Sequence, residues 1–208
     1  IAQADQQVDA LITQHARTLI AEQKMPQDSY NTYIEGSSPY TITKTGNGTL
    51  TFSDTNISNF SASTIISDGT VSVSNNNTLG TGTIILNGGT LSSNSTSARS
   101  LSNTISVQSS SELGDATNSG TLTLSGNVSF SSSDLTLSSR SNNTLSGTVG
   151  LNSANQTFNI NNSVTQTISG IVSSGALTKS GSGILILSGT NTYTGDTNIS
   201  AGTLNVSG

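Results

Sequence analysis

The hydrophobic and polar residues of this chain follow two different periods, and the period changes near residue 40. From Tyr40 to Gly208, apolar residues alternate with Thr, Ser or Asn in short runs. Alternation with a period of two predicts strands that bury one face. The recurring unit is Gly-Thr-apolar-x-apolar, which occurs at 48–52, 69–73, 82–86, 120–124, 147–151 and 202–206. Gly and Asn between the runs supply the backbone conformations that tight corners need.

The beginning of the chain shows helical spacing instead. Between residues 5 and 24 the apolar residues fall on one face of a helix, at Val8, Leu11, Ile12, Leu19 and Ile20. Asp5 suits the N-cap and Pro26 forces an end. We therefore predict an amphipathic helix over 5–24, within an N-terminal segment 1–39 that precedes a repetitive domain over 40–208.

The repetitive domain is self-similar over long distances. Residues 42–50 match 177–185, and the match resumes with 66–71 against 199–204. Short strands spaced about 20 residues apart, without helices between them, predict a solenoid. The fold class is therefore all-β: a right-handed parallel β-helix of about eight coils. An antiparallel sandwich of short strands is the alternative.

The predicted helix has a natural place in this fold. A solenoid exposes strand edges at both ends, and edges invite association. We expect the helix to cap the N-terminal coil, whereas its rival roles are to pack against the side of the solenoid or to bind a partner helix. We also expect the coils to continue beyond Gly208.

Composition narrows the possible partners. Only 31% of the residues are hydrophobic and 8% are charged, and the net charge is −5. The six Lys and Arg residues are scattered, which argues against nucleic-acid binding and against anionic membranes. No apolar run is long enough to insert into a membrane, and the absence of Cys excludes disulfides and thiolate metal sites.

One segment resembles a known family. Residues 175–208 contain Leu177-Thr178-Lys179-Ser180-Gly181-Ser182-Gly183 and Gly195-Asp196-Thr197-Asn198-Ile199, and they are similar to the autotransporter-associated β-strand repeat. Residues 79–91 resemble the coil that often follows it. The earlier copy, 42–73, departs from the pattern because Asp54 replaces a Gly and Phe60 stands near the position of a Tyr.

The resemblance implies an autotransporter passenger domain from type V secretion. Such a chain is secreted or displayed at the outer-membrane surface of a Gram-negative bacterium, and a β-barrel translocator domain is expected in the full-length protein. Members of the family act as adhesins, self-associating surface proteins, toxins or receptor-binding effectors. The repeat motif itself is structural, so it transfers no functional residues.

The sequence contains no obvious set of catalytic residues. His15 stands alone on the predicted helix, and the acids of the repetitive domain are dispersed. The closest pair, Glu112 and Asp115, fits the surface of a turn. We therefore expect no enzyme activity, no cofactor and no metal; a polysaccharide-active β-helix is the less favoured alternative.

Binding is the function that we expect from the sequence, through loops that interrupt the coils. The longest irregular stretches are 92–99, 109–119 and 138–143. The candidate partner-binding residues within them are Glu112, Asp115, Arg140, Asn142 and Asn143. The partner is expected to be a host cell-surface receptor or a glycan. Self-association, as in a biofilm, and a purely structural stalk remain alternatives.

Overall fold

The computed structural model describes residues 41–53, 61–118 and 120–208. The predicted helix over 5–24 and its capping role lie outside these residues, as do His15, Asp54 and Phe60. Within the described residues all regular structure is β-strand.

The strands form three parallel sheets. The first sheet contains β1 (Thr41–Lys44), β3 (Ser63–Ile66), β5 (Ile84–Asn87), β8 (Ile105–Ser109), β11 (Val128–Phe130), β14 (Val149–Gly150) and β17 (Val172–Ser173). The second sheet contains β2 (Thr49–Phe52), β4 (Thr70–Val73), β6 (Thr90–Ser93), β9 (Ser111–Leu113), β12 (Thr136–Ser139), β15 (Asn155–Ile160), β18 (Ala176–Ser180) and β20 (Thr197–Ile199). The third sheet contains β7 (Arg99–Leu101), β10 (Leu122–Leu124), β13 (Asn143–Leu145), β16 (Thr165–Ile168), β19 (Ile184–Leu187) and β21 (Thr203–Val206).

The chain visits the three sheets in turn, so each circuit makes one triangular coil. The second sheet has a strand in every coil and gives eight coils, numbered 1 to 8 from β2 to β20. Coil 2 has no strand in the third sheet, where residues 74–83 run through turns, and coil 8 has no strand in the first sheet. The first corner joins the first sheet to the second, the second corner joins the second to the third, and the third corner returns to the first.

This arrangement confirms the predicted parallel solenoid and not the antiparallel sandwich. Every paired strand is parallel; for example, Ile84 pairs with Ile105, and Ile105 pairs with Val128. The inward residues of neighbouring coils therefore stack into columns, as Ile84, Ile105, Val128, Val149 and Val172 do in the first sheet. Such a thin core needs few apolar residues per coil, which explains the low hydrophobic content. The right-handed sense of the coil stays a prediction.

Glycines stack along the third corner. A Cβ at any of them would overlap the carbonyl oxygen of the residue one coil earlier, and none has a positive φ that would itself require glycine. We call these residues the glycine column; they are Gly82, Gly126, Gly147, Gly170, Gly189 and Gly208. Asn103 holds the same position in coil 3, where its amide donates to the Gly82 carbonyl oxygen at 2.7 Å. At the six glycines, close approach of successive coils, and not turn conformation, is what favours glycine.

A buried lysine marks each of the two self-similar segments. Lys44 and Lys179 are 2% and 0% exposed. The Nζ of Lys179 donates to the carbonyl oxygens of Ser180 and Gly181, both at 2.7 Å, and to that of Ala201 in the next coil at 3.1 Å. Burial lowers the pKa of Lys179.

Lys44 makes the same contacts at a different corner. Its Nζ donates to the carbonyl oxygens of Thr45, Gly46 and, in the next coil, Asp68. Lys44 lies at the first corner, however, whereas Lys179 lies at the second. Burial lowers the pKa of Lys44, and the charge of Asp68 opposes that shift. The repeated motif therefore forms the same corner structure at two different corners of the solenoid. At each of them its buried lysine hydrogen-bonds the backbones of two successive coils.

Candidate recognition surface

The three irregular stretches predicted to bind a partner contain more strand than expected. Strands β6, β9 and β12 extend into them, and the loops that remain are 94–98, 114–121 (described except for Ser119) and 140–142. All three loops lie at the second corner, in coils 3, 4 and 5. Consecutive coils stack about 4.8 Å apart, so these loops form one continuous edge. We call it the loop edge.

Three of the predicted residues lie on or beside the loop edge in coils 4 and 5, and two of them form an ion pair. We call Glu112, Asp115 and Arg140 the charged cluster. Arg140 donates from NH1 to Oε2 of Glu112 at 2.7 Å, although the two residues are 28 positions apart. Their side chains are 44% and 36% exposed, so the pair faces solvent. The pKa of Arg140 is raised, mainly by its hydrogen bond to Glu112 and by the charge of Glu112, and to a smaller extent by the charge of Asp115. The fold thus pairs two of the five predicted residues, Glu112 and Arg140, and their role in binding stays a prediction.

Asp115 also shapes its own loop. Its Oδ1 accepts a hydrogen bond from the backbone N–H of Thr117 at 2.7 Å, and its Oδ2 accepts one from Nδ2 of Asn118 at 3.4 Å. Side-chain acceptance of a backbone N–H two residues on is the usual way in which Asp fixes a turn. Asp115 therefore positions the loop as well as contributing charge.

The two predicted asparagines have different positions. Asn142 is exposed, and its Oδ1 accepts a hydrogen bond from the backbone N–H of Thr165 in the next coil at 2.8 Å. Asn143 points inward and is 1% exposed. Its Nδ2 donates to the carbonyl oxygen of Ser141 at 2.8 Å, and its Oδ1 accepts from the N–H of Leu122 at 3.3 Å.

The position of Asn143 corrects its description as a loop residue. It stacks between Leu122 and Gln166 in an inward column of the third sheet. Its amide satisfies backbone groups of the corner, which would otherwise be buried without partners. Asn143 thus supports the loop edge from inside and offers no surface to a partner.

A groove of about 440 Å³ runs beside the cluster, across the outer face of the second sheet. Its side chains come from coils 2 to 5: Asp68, Thr70, Thr90, Glu112, Thr136 and Ser138. Gly69, Gly88 and Gly89 line the groove at the first corner. Sequence reasoning missed this groove, although the signal was present: a Gly-Thr pair opens the second-sheet strand in both coil 2 and coil 3.

The groove and the charged cluster share Glu112. Besides the hydrogen bond from Arg140, Oε2 of Glu112 accepts one from the hydroxyl of Thr90 at 3.3 Å. The described residues contain no group of three or more His, Cys, Asp or Glu side chains placed to hold a metal ion. Nor do they include a helix long and apolar enough to span a membrane.

Comparison with known families gives one match. The model of the passenger-associated-transport-repeat matches residues 42–73, 116–133 and 177–206. The chain carries passenger-associated-transport-repeats. No curated protein and no solved structure matches the chain. The repeats and the parallel solenoid together support a passenger domain, and autotransporter passengers are secreted or displayed at the surface of Gram-negative bacteria.

The transport repeats and the charged cluster occupy different parts of the chain. Lys44 and Lys179, with their corner contacts, lie in the first and third matched stretches. Glu112, Asp115 and Arg140 lie outside all three. The repeat motif therefore explains how two corners are held together, while it leaves the cluster without an assigned structural role.

Proposed function

We propose that this chain is a surface-exposed autotransporter passenger segment that acts by binding, as an adhesin or a host-receptor-binding effector on a rigid β-helical stalk. The observation that carries the proposal is the exposed ion pair of Glu112 and Arg140 beside the loop edge, outside the transport repeats. The partner is a host cell-surface receptor or a glycan.

The energetics of the charged cluster support a role other than stability. An ion pair exposed to this extent contributes at most about 1 kcal/mol to folding. The corners that hold the coils together use buried groups instead, namely Lys44, Lys179 and Asn143. Binding residues concentrate on loops that a rigid scaffold holds in place, as the solenoid holds the loop edge.

Self-association is the second candidate, and the exposed apolar residues favour it. Ile171 and Ile184 are 42% and 37% exposed, on coils 6 and 7. Ile184 begins β19 after the second corner, whereas Ile171 lies at the third corner. An exposed apolar side chain is stabilised when a second copy of the chain covers it. Both side chains lie outside the loop edge, so the two candidates can be tested independently.

A cell-binding assay with point variants tests the proposal. Replacing the stretches 109–119 or 138–143 as a whole would remove β9 or the corner contacts of Asn143, so we choose Glu112→Ala/Arg140→Ala in the whole chain. This variant keeps the net charge, and it should lose at least about fivefold in binding to cultured host cells with little change in melting temperature. Thr123→Ala/Thr144→Ala, on the outer face of the third sheet, is the matched control.

Each outcome has a defined meaning. A double variant that binds cells as well as the parent rejects the loop edge as the binding site. A parent chain that forms oligomers but binds no cells favours self-association, which Ile171→Ser/Ile184→Ser should then abolish. A chain that does neither is a stalk.

A further inference from the structure

We infer that the groove on the second sheet is a binding site for an uncharged oligosaccharide. The inference rests on the proposed function, because it names the ligand class and the contact surface of a chain that acts by recognition. It follows from the groove's charge balance, its free hydroxyls and its position on a sheet face.

Each carboxylate that lines the groove has a cation near it. Glu112 is paired with Arg140 at 2.7 Å. Oδ1 of Asp68 accepts the N–H of Gly69 at 2.7 Å, and the buried Nζ of Lys44 donates to the Asp68 carbonyl oxygen at 3.3 Å. The formal charges of these four groups sum to zero, which gives an ionic ligand little to pair with.

The groups that remain free are hydroxyls. The side-chain oxygens of Thr70 and Thr136 form no hydrogen bond with other described residues, and the hydroxyl of Ser138 only accepts one, from Asn159 at 3.3 Å. Each hydroxyl both donates and accepts, which matches the hydroxyls of a sugar.

The position of the groove disfavours a peptide ligand. Strand addition needs a free sheet edge, whereas this groove crosses β4, β6, β9 and β12, whose backbones pair with one another. The described hydrophobic side chains that are large and exposed, Ile171, Ile184, Ile199 and Val206, do not line it. Its volume lies in the range that small-ligand sites occupy, about 300–1,000 Å³.

NMR titration of the whole isotope-labelled chain tests the inference. The probes are cellohexaose, maltohexaose, laminarihexaose and mannohexaose, with hexagalacturonate and a chitosan hexamer as charged comparisons. At least one neutral hexamer should shift the backbone amides of Thr70, Thr90, Thr136 and Ser138, with the same Kd in low and high salt because no ionic contact contributes.

A matched pair of variants locates the binding. Thr70→Val/Thr136→Val keeps the shape and strand preference of the side chains and should weaken binding at least about fivefold, because it removes two hydroxyls that hydrogen-bond the sugar. Thr144→Val/Thr167→Val, on the outer face of the third sheet, should leave the Kd unchanged.

Three results would overturn the inference: no neutral hexamer binds at millimolar concentration, the shifts fall outside the groove, or Thr70→Val/Thr136→Val binds as tightly as the parent. If only a charged hexamer binds and salt abolishes the binding, the inference is also wrong. If the chain binds cells but none of the neutral hexamers, the oligosaccharide site is wrong and the proposed recognition function stands. If the chain binds neither cells nor neutral hexamers, both the oligosaccharide site and the recognition function are rejected.

Discussion

The glycine column makes a specific prediction about what holds the coils in contact. In Gly126→Ala the new Cβ would lie 2.8 Å from the carbonyl oxygen of Ser102 and closer still to that of Asn103. Both are backbone atoms, so relief requires the third corner to separate. Overpacking of this kind costs about 3 kcal/mol. For a domain of this size that corresponds to a fall in melting temperature of roughly 6–12 °C.

Alanine variants at two other glycines serve as controls. They separate the effect of the Cβ–carbonyl clash from the effect of replacing glycine as such. In Gly150→Ala the Cβ meets only the carbonyl oxygen of Val128 at 3.9 Å, an ordinary contact, so stability should change by less than about 1 kcal/mol. Gly46 has open space around it but a φ of +71°, and Gly46→Ala should cost about 1–2 kcal/mol from backbone strain alone. Thermal unfolding followed by circular dichroism ranks the three variants. If Gly126→Ala melts together with Gly150→Ala, close coil contact is not what requires glycine at the third corner.

Two further predictions concern the buried polar groups, each with an exposed counterpart as its control. Lys179→Met leaves three carbonyl groups of the corner without their donor, so it should lower the free energy of unfolding in urea by about 2 kcal/mol. Arg140→Met is the control: it removes only an exposed ion pair and should cost less than about 1 kcal/mol. Equal midpoints for the two variants would show that the buried lysine does not tie the coils. Asn143→Ala should lower the free energy of unfolding by about 2–3 kcal/mol, because the N–H of Leu122 and the carbonyl of Ser141 lose their buried partner. Its control, Asn142→Ala, should cost about 1 kcal/mol or less. If differential scanning calorimetry gave the reverse order, the inward placement of Asn143 would be wrong.

The strands and their parallel stacking were predictable, because both depend on local pattern. The Gly-Thr-apolar-x-apolar units at 48–52, 69–73 and 120–124 contain β2, β4 and β10. The apolar residues of distant repeats fall at matching positions, and this regularity favoured stacked coils over an antiparallel sandwich. The corner at which each copy would lie was not predictable, since the number of residues per coil varies and the same motif turns at the first corner in coil 1 and at the second in coil 7.

The inward polar residues were harder to predict, because charged and amide side chains are usually placed outside. Lys44 and Lys179 lie inside because a long side chain reaches from an inward position to the carbonyls of the corner. Asn143 carried a usable signal: it is in phase with the inward Leu145, two residues later, and strand alternation would have placed it in the core. The third-corner glycines were attributed to turn conformation, whereas their actual requirement is space between coils.

The binding role of the candidate residues stays a prediction. Among them, the stacking of coils 4 and 5 pairs Glu112 with Arg140, which the sequence did not foresee. The groove was missed because it is built from residues of four coils, and its shape depends on the lateral register between them. Register between coils of unequal length is a tertiary property, and no single repeat contains it.

The stacking of the coils is the claim on which the site and both proposals depend, and one distance tests it most directly. The chain has no native cysteine, so spin labels can be attached cleanly to Ser100→Cys and Asn205→Cys. Both positions belong to one outward ladder of the third sheet, Ser100–Thr123–Thr144–Thr167–Ile186–Asn205. Five coil steps predict a narrow distance distribution centred near roughly 24 Å in a double electron–electron resonance experiment. A broad distribution centred near about 55 Å, which a flexible chain of the same length would give, would contradict the solenoid.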